Sequence, residues 1–423
     1  MGPTRDLDDD PAGEDAPAGV QESGTPCAEA AKTPDAPEFQ GEPTQNLPTL
    51  PRPADPPVVE VRALDWEAVR AAVAPAQLRA RMRVIVEAME GVLDQPDGPA
   101  LLFDAHRQDP QDRVIRVPAG KEGGGFESSG EGDIGPLWII GDLHGDLPAL
   151  EAALAHIRAS ADEGAATPRI AFLGDFYDDE GFGLELLLRV FELILEAPSR
   201  VCVIAGNHDE ALSFDGSRFA SSVSPSDFAD FLNAHRTDEW IERAGKLAVR
   251  LTERLPRALI LPGGLLVAHG GFPLVDRHEA LLASGDWNDP GCLSDFVWAR
   301  AHPKARRKMP NRFSRGSQFG HEDFGDFCAL SARLGCPVTH MVRGHDHVEE
   351  RYAIYPAFSA HPVVTTVALS RRLPREQYGP HERVPTLVRV MPDVLPQVHR
   401  LHIPADIVRE FFPPVVAAGD ATP

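Results

Sequence analysis

The sequence predicts an α/β fold in which parallel βαβ units are followed by a second sheet, with a disordered tail in front. Three observations predict it. Five short apolar runs each end in a cluster of polar residues: LWII (137–140), IAFL (170–173), VCVIA (201–205), LLVA (265–268) and HMVR (340–343). Helical periodicity separates the first three. Residues 1–58 carry 12 prolines and almost no large apolar side chains.

In chain order, residues 1–60 hold 13 acids and 3 bases, so about ten of the chain's 23 net negative charges lie there. Such a segment cannot bury enough surface to offset its ordering entropy, and disorder is expected over 1–58. A solubilising spacer is the simplest role, and a docking segment the alternative. From Trp66 to Leu93, the residues Val69, Val73, Leu78, Met82, Ile85, Val86 and Met89 recur at threes and fours. That spacing predicts a helical region within 59–118, packing on the main body. A Gly-rich stretch, Ala119–Pro136, reads as a connector. Its GGG (Gly123–Gly125) does not open a helix after a strand, so it lacks the setting of a phosphate-binding loop.

Strand 137–141 is followed by helix 147–162, strand 169–174 by helix 184–197, and strand 200–205 by a short helix after His208. The alternation implies parallel βαβ units. Residues 226–256 read as helices, which makes 212–256 an inserted cap or flank. Runs at 257–261, 265–269, 339–343, 363–369 and 386–391 suggest the second sheet. A helix at 404–412 closes the main domain, 137–412, before a flexible tail at 413–423.

Hydrophobic residues make up 43% of the chain, enough for a sizeable core. The acidity remaining after the tail is set aside favours solubility and disfavours nucleic acid or anionic membrane as partners. Five cysteines with no CxxC spacing fit a reducing compartment. The start MGPTRDLDDD lacks a signal peptide's basic and apolar regions, and no run approaches the roughly 18 apolar residues that span a bilayer. A soluble, cytoplasmic protein is expected.

The residues that close the apolar runs carry chemistry. They are Asp142 and His144 in GDLHGD, Asp175 in GD, Asn207 and His208 in GNHD, His269 in HGG, and His345 and His347 in GHDH. Side chains placed just past several strands meet at the carboxyl edge of a sheet. Asp, His, Asp, Asn, His and His, with a possible seventh, are too many ligands for one ion and suit two. A carboxylate bridging two ions about 4 Å apart offsets their repulsion, and Asp175 is the natural candidate. Asp142 and His144, alternate residues, can point toward one ion, leaving Asn207, His269 and His345 for the other. Mixed N/O ligation selects Mn, Fe, Zn or Co over calcium. A dinuclear metallohydrolase is expected.

These motifs resemble the calcineurin-like metallophosphoesterase superfamily, whose pattern runs GDxH, GDxxD, GNH[DE], a lone His, then GH. HGGFP (His269–Pro273), WAR (Trp298–Arg300), RGSQFG (Arg315–Gly320) and VRGH (Val342–His345) are similar to its phosphoprotein phosphatase and diadenosine-tetraphosphatase branch. The resemblance covers roughly 137–369. It implies a two-sheet β-sandwich flanked by helices on both outer faces. It implies Asp142, His144 and Asp175 as ligands of one ion, and Asp175, Asn207, His269 and His345 as ligands of the other. It also implies His208 as the catalytic histidine, with Asp178 orienting it. The reaction would be in-line attack on phosphorus by a metal-bridging hydroxide, with His208 protonating the leaving group.

Two departures stand out. The branch pattern GDxVDRG reads GDFYDDEG here, so Asp179 occupies the place of a phosphate-clamping arginine and should repel phosphate. Arg315 matches the other clamp, against a surface arginine, and Arg343 and Arg300 are further candidates, with a structural role as the alternative for each. In GHDH, His347 is an extra residue that serves as a ligand beside Asp142 and His144 or as a hydrogen-bonding support. Residues 366–378, TVALSRRLPREQY, stand where the branch has a tail motif, and Arg371 and Arg372 read as a solvated basic loop, or else as replacements for the lost positive charge. The expected substrate is a phosphorylated protein or a small phosphomonoester. Rivals are a dinucleoside polyphosphate or cyclic-nucleotide hydrolase, with Phe214 or Phe219 lining a capped pocket, and a catalytically quiet metal-binding interaction module.

Overall fold

The computed structural model describes residues 55–61, 64–95, 100–118, 135–161, 168–307, 315–392 and 394–414. The acidic segment expected to be disordered lies outside the described residues up to 54, as do the connector at 119–134 and the end of the chain beyond 414.

The chain enters through a short strand, β1 (Val58–Glu60), and two helices, α1 (Trp66–Val73) and α2 (Pro75–Leu93). Asp65 caps α1 by accepting the amides of Glu67 and Ala68. Pro75 then restarts the chain at the first turn of α2, where its missing N–H is no loss. Strand β2 (Val114–Arg116) follows. The region 59–118 thus supplies, besides its helices, β1 and β2 as an edge of each main sheet.

The expected βαβ series comes next: β3 (Leu137–Ile140), α3 (Leu147–Ala159), β4 (Arg169–Phe172), α4 (Gly183–Glu196), β5 (Val201–Val203) and α5 (Asn207–Ala211). A hairpin, β6 (Leu212–Phe214) and β7 (Phe219–Ser221), leads to α6 (Asp227–Ala234) and α7 (Glu239–Arg254). Strands β8 (Ala258–Leu261) and β9 (Leu265–Ala268) precede α8 (Val275–Ser284) and α9 (Pro290–Trp298). A small pair, β10 (Arg300–Ala301) and β11 (Gln318–Phe319), leads to α10 (His321–Arg333) and β12 (His340–Arg343). The chain closes with β13 (Tyr352–Ile354), β14 (Val363–Thr366), β15 (Thr386–Met391), β16 (Val394–His402) and α11 (Ala405–Phe411).

Two six-stranded sheets result, ordered β1-β16-β15-β3-β4-β5 and β13-β14-β12-β9-β8-β2. Strands β3, β4 and β5 are parallel, as are β9, β12 and β14. Side-chain alternation builds the layers. Leu137 and Ile139 pack between the sheets with Val267, Val342 and Val364. Trp138 and Ile140 face the other way, into the layer of α1 to α4. Leu266 and Met341 face the layer of α8, α9 and α10. The fold is a two-sheet sandwich with helices on both outer faces.

Two placements differ from the sequence reading. The run 386–391 was expected in the second sheet, yet β15 pairs antiparallel with β3 in the first. Its alternating pattern defines which residues are buried but not which strand lies beside them. Strand β16 and helices α8 to α10 had no counterpart in the reading. Much of the insertion 212–256 packs on the outer core. Helix α7 spends its apolar face, Ile241, Ala244, Leu247 and Leu251, on the outer core, and Arg243 pairs with Glu90 of α2. Phe219, only 2% exposed, packs on Gly245 and Leu232.

Candidate metal centre

The segments leaving β3, β4 and β5 in one sheet and β9 and β12 in the other converge at their carboxyl ends. Close approach explains the glycines in the motifs. Gly174 has φ +93°, and a Cβ there would lie 2.1 Å from the Gly206 nitrogen; one on Gly206 would lie 2.2 Å from Asp175 Oδ1. The Asp209 carboxylate ties the two loops by accepting the amides of Asp175 at 2.7 Å and Gly206 at 2.8 Å. Of eight described non-glycine residues with positive φ, six sit here: His144, Asp175, Asp178, Asp179, Glu180 and His345. Backbone strain collects at functional sites when the surroundings over-determine it.

Ligand-capable atoms fall into three overlapping groups, each within 4.8 Å: Asp142–His144–His347, His144–Asp175–His208 and Asp175–His269–His345. All of these residues but the partly buried His347 are buried. His144 Nδ1 donates to the Tyr177 carbonyl at 2.9 Å, and His269 Nδ1 donates to the Leu173 carbonyl at 2.9 Å. A carbonyl only accepts, so each ring in its neutral form turns a lone pair inward at Nε2. His269 Nε2 then faces Asn207 Oδ1 at 3.0 Å, His345 Nδ1 at 3.1 Å and Asp175 Oδ2 at 3.4 Å. Acceptors that converge in a buried space suit a cation between them, or in its absence a proton on His269 Nε2.

Asp175 joins the halves. Its Oδ2 is 3.4 Å from His269 Nε2 and 3.7 Å from His144 Nε2, while Oδ1 accepts the His208 amide at 2.8 Å. Asp142 accepts the His345 amide and faces His347 Nε2 at 2.9 Å. Burial lowers the pKa of His269, but the Asp175 and Asp142 carboxylates outweigh it and push it up to about 9. Burial, aided by neighbouring positive groups, holds His144 and His345 well below the usual histidine range. These two stay neutral and available as donors. The His345 Nε2 is buried with no partner. The donor set fits divalent ions.

Beside the cluster, His208 Nδ1 lies 2.6 Å from Asp178 Oδ2. Burial disfavours the His208 cation, yet Asp175 and Asp178 raise its pKa overall. Burial raises the Asp178 pKa against the opposing effect of His208. The result is a histidine able to hold a proton next to the donor cluster.

Asp179 is buried beside His144 and not open to solvent. It is 1% exposed, its Oδ2 is 3.3 Å from His144 Nδ1, and it forms an ion pair with Arg375 Nη2 at 2.9 Å. The pair is close but poorly aligned, since neither Asp179 oxygen has a well-directed hydrogen bond. Arg375 went unread in the sequence: its Nη2 also reaches His144 Nε2 and His347 Nδ1, both at 3.3 Å. Arg371, read as part of a solvated loop, is instead buried and donates to the carbonyls of His144 and Asp179.

The other arginines divide. Arg343, expected to bind substrate, is fully buried and its nitrogens go to Gly270 O, Asp346, Thr365 Oγ1 and Ala299 O. Strand alternation turns it to the same side of β12 as Met341, into the α8–α10 layer. Arg300 holds His345 O and Asp346. Arg315 is exposed and lies over Trp298, 5.0 Å from the ring centroid. The Trp298 indole donates to Glu210 of α5, which places Arg315 near the helix that carries Asn207 and His208.

A family model described as calcineurin-like phosphoesterase matches residues 135–349, a span that contains every candidate metal ligand named above. The chain belongs to that family. Among its curated relatives is a serine/threonine-protein phosphatase of Caenorhabditis elegans, 24% identical over 52% of this chain and 45% of the relative. A PP2A-like serine/threonine-protein phosphatase of Candida albicans is 25% identical over 52% of this chain and 49% of its own length. The catalytic subunit of Drosophila melanogaster serine/threonine-protein phosphatase 6 is 25% identical over 46% and 60%. The chain thus spans about half the length of the first two. These relatives lie in the phosphoprotein phosphatase branch that the motifs resemble. A solved Saccharomyces cerevisiae serine/threonine phosphatase aligns with TM-score 0.49 and 14% identity over 81% of this chain and 98% of that one. Among the described residues no helix is long and apolar enough to cross a membrane.

Proposed function

We propose that this member of the calcineurin-like family is a two-metal phosphomonoesterase, with phosphoserine or phosphothreonine in protein as its leading substrate class. The observation that carries the reading is Asp175 Oδ2, set between the His144 and His269 donors with the His208–Asp178 pair alongside. Asp142, His144, Asp175 and His347 would hold one divalent ion, and Asp175, Asn207, His269 and His345 the other; Mn, Fe and Zn suit these ligands. When bound, two such ions lower the pKa of water to near neutrality and offset phosphoryl charge.

The chain's own groups do the rest. His208, charged through Asp178 and Asp175, donates a proton to the leaving alkoxide, a contribution of roughly 10²–10⁴-fold. Asp178 keeps the ring oriented through Nδ1, so that Nε2 carries the proton to be given. The names of the relatives, all serine/threonine-protein phosphatases, support a phosphoprotein substrate. A nucleotide pocket finds no support in the insertion, because Phe219 is buried and Phe214 packs tilted against it, ring centroids 4.7 Å apart.

The test is hydrolysis of an aryl phosphomonoester, an aryl phosphodiester and diadenosine tetraphosphate by metal-stripped protein, with and without Mn²⁺. Metal-dependent cleavage of the monoester is expected, followed by cleavage of phosphopeptides. Cleavage of the diester or dinucleotide alone would overturn the reading.

A further inference from the structure

The segment that follows β14 ends in an arginine aimed at the donor cluster, and the chain on both sides of that arginine is anchored. Ser370 gives its amide at 2.7 Å and its hydroxyl at 2.8 Å to Asp146 Oδ2, the carboxylate that also caps α3. Arg371 spans the carbonyls of His144 and Asp179 and lies on the Phe412 ring. Leu373 is 1% exposed. Glu376 makes two contacts, of 2.5 and 2.8 Å, with fully buried Arg351. Four anchors in seven residues leave the loop few alternative paths. Arg375, between Leu373 and Glu376, is the residue turned toward the site.

Its position is specific. Nη2 is 2.9 Å from Asp179 Oδ2 and 3.3 Å from both His144 Nε2 and His347 Nδ1. The side chain keeps 36% of its surface exposed, so it can be reached by a molecule arriving from solvent. Asp179, by contrast, is buried behind His144. A carboxylate at this position would leave the site short of positive charge if nothing answered it. Here it anchors an arginine from a different loop, and the planar fork of that arginine matches two phosphoryl oxygens.

We propose that Arg375, held by Asp179, is the phosphate-binding arginine of this site, taking the non-bridging oxygens of a phosphomonoester. The inference deepens the phosphomonoesterase reading and rests on it for the substrate's identity. No bond is made or broken by Arg375. It positions the phosphoryl group and releases it as inorganic phosphate leaves.

The test measures inorganic phosphate binding by calorimetry on metal-loaded protein, with metal content and melting temperature recorded for each variant. Arg375→Ala should weaken phosphate binding roughly 10- to 100-fold, the loss expected for charge-assisted hydrogen bonds. Its metal content and melting temperature should stay at the wild-type level. Arg375→Lys should fall in between, keeping the charge and losing the fork. Arg372→Ala, on a neighbour that points to Gln377 O, should match wild type. In turnover, Arg375→Ala should raise KM for an aryl phosphomonoester more than it lowers kcat.

Unchanged phosphate affinity in Arg375→Ala at full metal content would overturn the proposal, even if the wild type is an active phosphatase. Weakened binding that merely follows lost metal or a lowered melting temperature would overturn it too. So would a wild-type protein that binds no phosphate. Arg375-dependent phosphate binding in a protein that hydrolyses no monoester would instead sink the functional reading and leave this inference standing.

Discussion

His208 Nδ1 lies 2.6 Å from one oxygen of Asp178, and the other oxygen accepts the amide of Phe228 at 2.9 Å. The flanking helix α6 thus fixes the carboxylate that fixes the histidine. His208→Ala should retain both metal ions and lose about 10²–10⁴-fold in kcat on a substrate with a poor leaving group. The loss should shrink as the leaving group improves, since a weakly basic alkoxide needs no proton. A loss independent of leaving group would remove His208 as the donor. The pH dependence has a defined sign. The donor is the protonated ring, whose pKa the two carboxylates raise, so activity falls as pH rises through it. Asp178→Asn takes away one carboxylate and should shift that alkaline fall to lower pH.

Metal stoichiometry separates the proposed ligands. Asp175→Asn should lose both ions, because its Oδ2 lies between the two donor groups. His347→Ala should weaken only the site shared by Asp142 and His144, leaving the ion near His269 and His345 in place. Metal analysis after gel filtration reads this directly. Full occupancy of both sites in His347→Ala would make its 2.9 Å contact with Asp142 a supporting hydrogen bond rather than part of a coordination shell.

Most of this centre was legible because each proposed ligand comes within a few residues after an apolar run. A buried strand and a metal-binding residue just past it place the residue at the sheet edge without further information. Asp142, His144, Asp175, Asn207, His208, His269, His345 and His347 are drawn together in this way. Arg375 was not legible. It lies beyond the last motif, and its aim depends on Ser370–Asp146 and Arg351–Glu376, pairs separated in sequence by 224 and 25 residues. For Arg343 the substrate-binding reading gives way to the structural one for the opposite reason. A base beside GH reads as a phosphate ligand, but the two-residue period of β12 points it into the helical layer. The partner of β15 was illegible because alternation is silent about which strand lies alongside.

The loop that carries Asp178 and Asp179 is held against its own backbone preference. Asp178, Asp179 and Glu180 have φ of 72°, 61° and 59°, a region costing on the order of 1 kcal/mol or more for each non-glycine residue. Asp227 holds it by accepting the amides of Asp179 and Glu180, each at 2.9 Å. Asp227→Ala should lower stability by about 1–3 kcal/mol, seen as a lower denaturant midpoint at unchanged slope. It should also reduce kcat, because Asp178 moves with the loop. Loss of stability with full activity would mean that Asp178 is positioned by Phe228 alone.

A carboxylate distant in role from the metal centre gives a test of the fold itself. Asp295 on α9 accepts the Leu274 amide at 3.0 Å, and the Arg277 guanidinium stands 3.7 Å away. Burial outweighs both partners and lifts its pKa to about 6. Below its unfolded value near 3.8 the group is protonated in both states and contributes nothing. As pH rises from there to about 6, the unfolded chain ionises while the native state resists, so stability is lost as pH rises. The full penalty, at most about 3 kcal/mol, applies above that window. Asp295→Asn keeps an acceptor for Leu274 and abolishes the ionisation. Its stability relative to wild type should therefore climb between pH 4 and 6 and then level off. A gap that narrows over the same range would show Arg277 overcoming burial and holding Asp295 as an ion pair.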